Sequence, residues 1–170
     1  MSGILDSGNR RQFESGAVRD IQEGKGRTDL MPLDIVSRIS TNFDRLSKAA
    51  PAFNSSNMFY LVNEFIQSGI DKNIYILINS FINAAFGGDL SNALLELSIH
   101  YEEGALKYGE RNWEKGIPAH CYIDSGLRHG LKYLRGNTDE RHDRAFLWNM
   151  TGLLWTMQHH PELDDLFTNN

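Results

Sequence analysis

Lys72–Ala85, KNIYILINSFINAA, is the stretch on which the fold class turns. Taken alone, Tyr75-Ile76-Leu77-Ile78 is a short apolar run that suits a buried strand as well as a helix. The wider segment places apolar residues three and four apart and ends at Gly87-Gly88, which predicts a third helix over Lys72–Ala85. Its neighbour at the C-terminal end completes the most apolar tract, Ile74 to Phe86. That tract is too short to span a bilayer and is interrupted by Asn79, Ser80 and Asn83.

Outward from this segment, from Leu33 onward, the spacing stays helical and no other run alternates at period two. The reading is an all-α helical bundle of about six helices. A first helix is expected near Asp34–Ala49, opened by Pro32 and Asp34 and stopped by Pro51. A second is expected over Asn57–Gln67, ended by Ser68-Gly69. The fourth runs over Leu90–Tyr108, the fifth over Ala119–Leu134 and the sixth over Asp139–His159. Gly109 and Gly136 act as breakers, and Thr138 or Asp139 as the last cap. The division expected is a flexible N-terminal arm, 1–32, and a single all-α domain, 33–170, in which 38–92 is a possible helical insertion.

The 170 residues, 41% of them apolar, suffice for one ordinary core. Lys and Arg number 17 against 22 Asp and Glu, so there is no basic excess to follow a phosphate backbone, and a nucleic-acid partner is not expected. A single cysteine, Cys121, excludes an intrachain disulfide, and Met1 to Asn9 lacks the apolar core of a secretory signal. These features predict a soluble, cytoplasmic protein with no membrane partner. Charge is unevenly spread: Pro51 to His100 carries only Glu64, Asp71, Lys72, Asp89 and Glu96, whereas Tyr101 to Ala145 holds eight acids and eight bases.

Residues three and four apart share a helix face, so each carboxylate can be asked what its neighbours are. Leu95, Ile99, Glu102 and Leu106 form one line, which predicts that Glu102 points inward, while Glu103 lies with Glu96, His100 and Lys107 on a polar line. Asp124 heads the line Leu127, Leu131, Leu134, and Asp143 the line Leu147, Met150, Leu154. A carboxylate turned toward a core costs several kcal/mol unless something positive meets it. Several of them predict a shared counter-charge, and oxygen ligands with few or no sulfurs suit Mg²⁺ or Mn²⁺.

Each feature also has a plainer reading. Asp124 can pair with Arg128 one turn later, and Asp139, Glu140 and Asp143 suit a helix's first turn. His142 with Asn149 can be a buried polar pair, and His129 a packed core histidine. His159 and His160 can be a frayed end, and Trp148 and Trp155 core. The segment SGAVRDIQEGKGRTDLMP sets Arg19, Lys25 and Arg27 among glycines, which suits either an anion wrap or a solvated tail. It lacks the spacing of a Walker A loop. The loop KYGERNWEKGIP, with Lys107, Asn112 and Trp113, sits between two candidate ligand helices, where it could close over a ligand.

The blocks GAVRDIQEGKGRTDLMP, HYEEGALKYGERNWEKG, YIDSGLRHGLKYL and HDRAFLWNMTGLLW together resemble the phage dATP/dGTP diphosphohydrolase (MazZ-like) family, relatives of the all-α MazG nucleotide pyrophosphohydrolases. The blocks cover the arm and roughly the last 70 residues; Arg38 to Asn92 matches no family block. The resemblance implies Mg²⁺-dependent hydrolysis of a purine deoxynucleoside triphosphate, dGTP or dATP, to the monophosphate and pyrophosphate. It places that reaction in the supply of 2-aminoadenine nucleotides in a phage-infected host's cytoplasm. MazG-like enzymes hold Mg²⁺ through EExxE and ExxD helices. Here Glu102-Glu103 fits the first two positions, Leu106 breaks the third, and Glu140 and Asp143 satisfy ExxD, so Asp124 is the candidate for the missing ligand.

The expected ligand set is therefore Glu102, Glu103, Asp124, Glu140 and Asp143, with Glu103 and Asp143 catalytic. Arg19, Lys25, Arg27, Lys107, Asn112, Trp113 and Arg128 are expected to bind the nucleotide, and His129, His142 and Asn149 to orient the ligands. A homo-oligomer is expected from the apolar surplus of Met58 to Phe86 and from the family. Two rivals stand: an HD-type phosphohydrolase built on His142-Asp143 with His129, and a non-enzymatic helical interaction protein.

Overall fold

The computed structural model describes residues 3–4 and 6–166; Met1, Ser2 and Leu5 of the expected arm lie outside the described residues. Six helices carry the fold: α1 (Leu33–Leu46), α2 (Ser55–Ser68), α3 (Lys72–Phe86), α4 (Leu90–Tyr108), α5 (Ala119–Arg135) and α6 (His142–His159). The all-α expectation holds, and the ambiguous Tyr75–Ile78 run is helical. Helix α3 is buried around most of its circumference, with Ile74, Tyr75, Leu77, Ile78, Phe81 and Ile82 all inside. A helix apolar on all sides belongs at a bundle's centre.

Local chemistry fixes most helix ends. Asn54 and Asp89 cap α2 and α4 by accepting from the backbone N–H of Asn57 and Asn92 at 2.8 and 2.9 Å. Gly69, Gly87 and Gly136 close α2, α3 and α5 in the left-handed conformation. Helix α6 is the correction. It begins at His142, so Asp139 and Glu140 precede it and neither Thr138 nor Asp139 caps it. The Asp139 carboxylate is instead engaged by His142 Nε2 at 2.9 Å and Lys132 Nζ at 3.1 Å, which ties the α5–α6 turn sideways.

Two further findings concern the ends of the chain. Residues Arg10–Gln12 (β1) and Val18–Asp20 (β2) pair as a short antiparallel hairpin that helical periodicity gives no sign of. The glycine-rich segment after it lies against α4: Gly24 and Gly26 donate their N–H groups to the Glu102 carboxylate at 2.7 and 2.6 Å, and Arg27 N–H to Ser98 O at 3.0 Å. A β-carbon at Gly26, where φ is +81°, would stand 2.1 Å from Ser98 Oγ, so only glycine permits that approach. Leu30 and Met31 then enter the core. At the other end His159 is not frayed; its Nε2 lies 2.7 Å from Asp34 and its ring stacks on Trp155.

The apolar surplus of Met58 to Phe86 is used within the chain, where Met58, Leu61, Val62, Phe65, Phe81 and Ile82 pack against Phe146 and its neighbours. Phe59, Tyr60 and Ile70 of the same stretch stay exposed. Among the described residues no helix is long and apolar enough to cross a membrane.

Candidate active site

Helix α4 sets its Tyr101 beside Trp148 of α6 and ends at the 109–118 loop, and between them lies a cavity of about 520 Å³. Charge and imidazole gather on one wall, where Glu103, Lys107 and His100 come from α4, His129 from α5, and Glu140 from the turn before α6. Tyr101, Tyr108, Trp113 and Trp148 supply aromatic surface, and Asn112 and Asn149 amide groups. A concave, largely apolar chamber with a few convergent polar groups is the usual shape of a small-molecule site.

Helical register explains the charged wall. Glu96, His100, Glu103 and Lys107 recur at four, three and four residues on α4, so the line expected to be merely polar is the one that faces the cavity and the start of α6. There the carboxylates meet arginines. Arg144, nearly buried, donates to Glu96 at 2.6 Å and Glu103 at 3.3 Å, and Arg141 bridges Glu96 at 2.9 Å and Asp143 at 2.7 Å. Part of the counter-charge demanded by inward carboxylates is thus guanidinium, supplied one and two residues from Asp143.

This setting tunes the titrating groups. Burial lowers His100 to about 4, helped by the charges of His129 and Arg144, so its ring is neutral at pH 7. Burial likewise lowers His129. Burial alone would raise the Asp143 carboxyl, but the Arg141 hydrogen bond and the Arg144 backbone N–H outweigh it and hold the group below the ordinary carboxylate range.

The expected ligands do not converge. Glu102 is buried as expected, although Leu95 and Leu106 on its line are exposed, and its two oxygens are taken by the arm's N–H groups. Asp124 is on the outer surface, 71% exposed and paired with Arg128 at 2.7 Å, which is its plainer reading and takes it out of the ligand set. Its line Leu131, Leu134 is exposed as well. Glu103 and Glu140 reach the cavity; Asp143 is half-buried behind Arg141.

Of the expected nucleotide-binding residues, Lys107, Asn112 and Trp113 line the cavity. Trp113 is buried edge-on against Trp155 with its indole N–H unpartnered, so it forms wall rather than a free stacking face. Arg19 lies on β2, Lys25 pairs with Asp20, Arg27 with Asp29 and Glu110, and Arg128 lines a separate groove; none of the four reaches the cavity. His129 and His142 stand with their Nδ1 atoms 2.9 Å apart, and Asn149 spends its amide N–H on Ala145 O. His142 faces His129 while Asp143 is bound by Arg141, so the adjacent pair has no common target of the kind an HD-type site needs. Sequence reasoning missed His100, Arg111, Ser125 and Trp148 on the lining and Glu96, Arg141 and Arg144 behind it. The four-three-four recurrence on α4 was the available signal.

A family model described as dATP/dGTP diphosphohydrolase, N-terminal, matches residues 78–166. The match opens within α3, spans α4 to α6 and contains every residue lining the cavity except Leu30. No curated protein and no solved structure matches the chain.

Proposed function

The chain belongs to the dATP/dGTP diphosphohydrolase, N-terminal, family, and from that membership we propose that its cavity hydrolyses purine deoxynucleoside triphosphates, dGTP or dATP, to the monophosphate and pyrophosphate. The observation that carries the reading is the cavity itself: a carboxylate and imidazole wall faces aromatic surface within the matched stretch.

The role of a divalent ion depends on which donors remain free. Five carboxylates around one ion do not fit, because Glu102 is engaged by the arm and Asp124 faces elsewhere. One or two carboxylates plus substrate phosphates is the usual way Mg²⁺ is held, and that arrangement does fit. Glu103, which lines the cavity, would hold Mg²⁺ or Mn²⁺, joined by Asp143 where Arg141 gives it up to the ion; the bound ion would neutralise phosphate charge and acidify a water.

The chain's own groups divide the remaining work. Lys107 and Arg111, at the cavity's mouth, attract the triphosphate, and the Tyr101, Tyr108 and Trp148 rings form the apolar wall for a purine. Asn149 Oδ1 is the acceptor left to read an exocyclic amino group. Glu103 Oε2 stands 4.0 Å from the neutral His100 ring, and it takes the proton from the attacking water. Arg144 holds the same carboxylate in place from behind.

Two wider proposals go with this reading. Product dGMP would feed a phage route to 2-aminoadenine nucleotides in the host cytoplasm, on the strength of the family resemblance. A homo-oligomer is supported by the exposed apolar line Phe59, Leu131 and Leu134 on α2 and α5. The function is tested by incubating the protein with dGTP or dATP and Mg²⁺ and identifying the phosphate released. Pyrophosphate is expected, with kcat for Glu103→Gln reduced at least 100-fold. Triphosphate would indicate an HD-type reaction, and no release would favour the non-enzymatic reading.

A further inference from the structure

We propose that His129, His142 and Glu140 form a binding site for a nitrogen-preferring divalent metal ion, of the zinc or cobalt class, in the wall of the cavity. Their ligand atoms all lie within 4.8 Å of one another, the only such group of three among the described residues. The two Nδ1 atoms are 2.9 Å apart, and Glu140 Oε1 is 3.8 Å from each. A tetrahedral ion about 2.1 Å from its nitrogens spaces them roughly 3.4 Å apart, so opening the imidazole pair by about half an ångström admits it.

The second observation lies behind the ligands. His142 is almost fully buried and its Nε2–H donates to Asp139 at 2.9 Å, which leaves the Nδ1 lone pair facing His129. A ligand imidazole fixed through its far nitrogen by a carboxylate is the arrangement that orients histidines in metal centres. Without an ion, His129 Nδ1–H satisfies the His142 lone pair. With an ion, that proton moves to His129 Nε2 and both Nδ1 atoms are free to ligate, with no net change in charge. Lys132 Nζ, 3.8 Å from Glu140 and 3.1 Å from Asp139, is the cation already present at the rim, and its long, half-buried stem has the rotamer freedom to withdraw.

Two imidazoles and one carboxylate suit zinc or cobalt, whereas Mg²⁺ prefers oxygen throughout. Three protein ligands leave a position open, and because His129 and Glu140 line the cavity it faces the space a ligand would occupy. The inference rests on the reading above only in taking that space as the nucleotide's; the ligation stands on its own geometry.

Titrating chelator-treated, untagged protein with Co²⁺ in the absence of nucleotide tests it through the visible ligand-field bands. The expected result is saturation at one equivalent, with the bands lost on adding Zn²⁺ and kept in a large excess of Mg²⁺. His129→Gln and His142→Gln should abolish the bands, and Asp139→Asn should weaken binding about 10- to 100-fold. Glu140→Gln, at an exposed position whose folding circular dichroism confirms, should weaken it at least tenfold. Absence of saturable bands in the wild type, or wild-type affinity in folded Glu140→Gln, overturns the proposal. Pyrophosphate release from dGTP, measured separately, separates the two claims: bands without hydrolysis sink the function alone, and hydrolysis without bands sinks the metal site alone.

Discussion

At the scale of single residues, His100 makes the sharpest prediction. Its ring is held neutral, with a folded-state value of about 4 against about 6.5 in an unfolded chain. Between these values the unfolded chain binds the extra proton, so stability is complete above pH 6.5 and falls as the pH drops toward 4. The window is about 2.5 units, which sets a ceiling on the order of 3 kcal/mol. Urea unfolding at pH 7 and pH 4.5 should show a larger loss for the wild type than for His100→Asn; equal losses would refute the assignment. Glu102 shows what residue-level sequence reasoning can and cannot reach. Its inward direction was legible from register, but its partners, the N–H groups of Gly24 and Gly26, lie 78 and 76 positions away and no local pattern announces them.

At the scale of elements, helix spans were legible because apolar spacing and glycine stops act locally, and α4 is observed at its expected bounds, Leu90–Tyr108. The start of α6 was not, because Asp139 is drawn to Lys132 and His142 across the turn in preference to capping. The α5–α6 contact that carries His129 beside His142 depends on small residues. A β-carbon on Gly152 would stand 2.4 Å from the Tyr122 ring, and one on Gly130 3.1 Å from the Phe146 ring of α6 and 2.5 Å from Met58 Sδ of α2. Both glycines have ordinary helical backbone, so the constraint is packing rather than φ. Gly152→Ala gains helix propensity of up to about 1 kcal/mol. Overpacking in a dense core costs typically 1–3 kcal/mol, and the rigid ring cannot swing away as a methionine tip can. Net destabilisation of about 1–2 kcal/mol is expected by thermal or urea melting, with a smaller loss for Gly130→Ala; a stabilised Gly152→Ala would show that the helices have room to part.

At the scale of the whole molecule, the apolar bulk expected to drive self-association turned out to be the chain's own core, which moves the question to the surface that remains. Phe59, Leu131 and Leu134 are 39–47% exposed on neighbouring faces of α2 and α5. Phe59, Leu127 and Leu131 border a shallow groove rimmed by Asp124, Arg128, Lys132 and Arg135. A two-fold contact needs a patch complementary to itself, and an apolar strip edged by both an acid and bases meets that need. The cavity takes Ser125 and His129 from α5 but none of the residues that line this groove, so pairing through this face would leave the cavity open. Light scattering should give twice the 19.3 kDa chain mass, and Leu131→Lys should return the mass to 19.3 kDa while leaving dGTP turnover within about twofold. If the wild type already scatters as a 19.3 kDa monomer, the α2–α5 face is not a pairing surface. If Leu131→Lys stays dimeric, the subunits meet elsewhere.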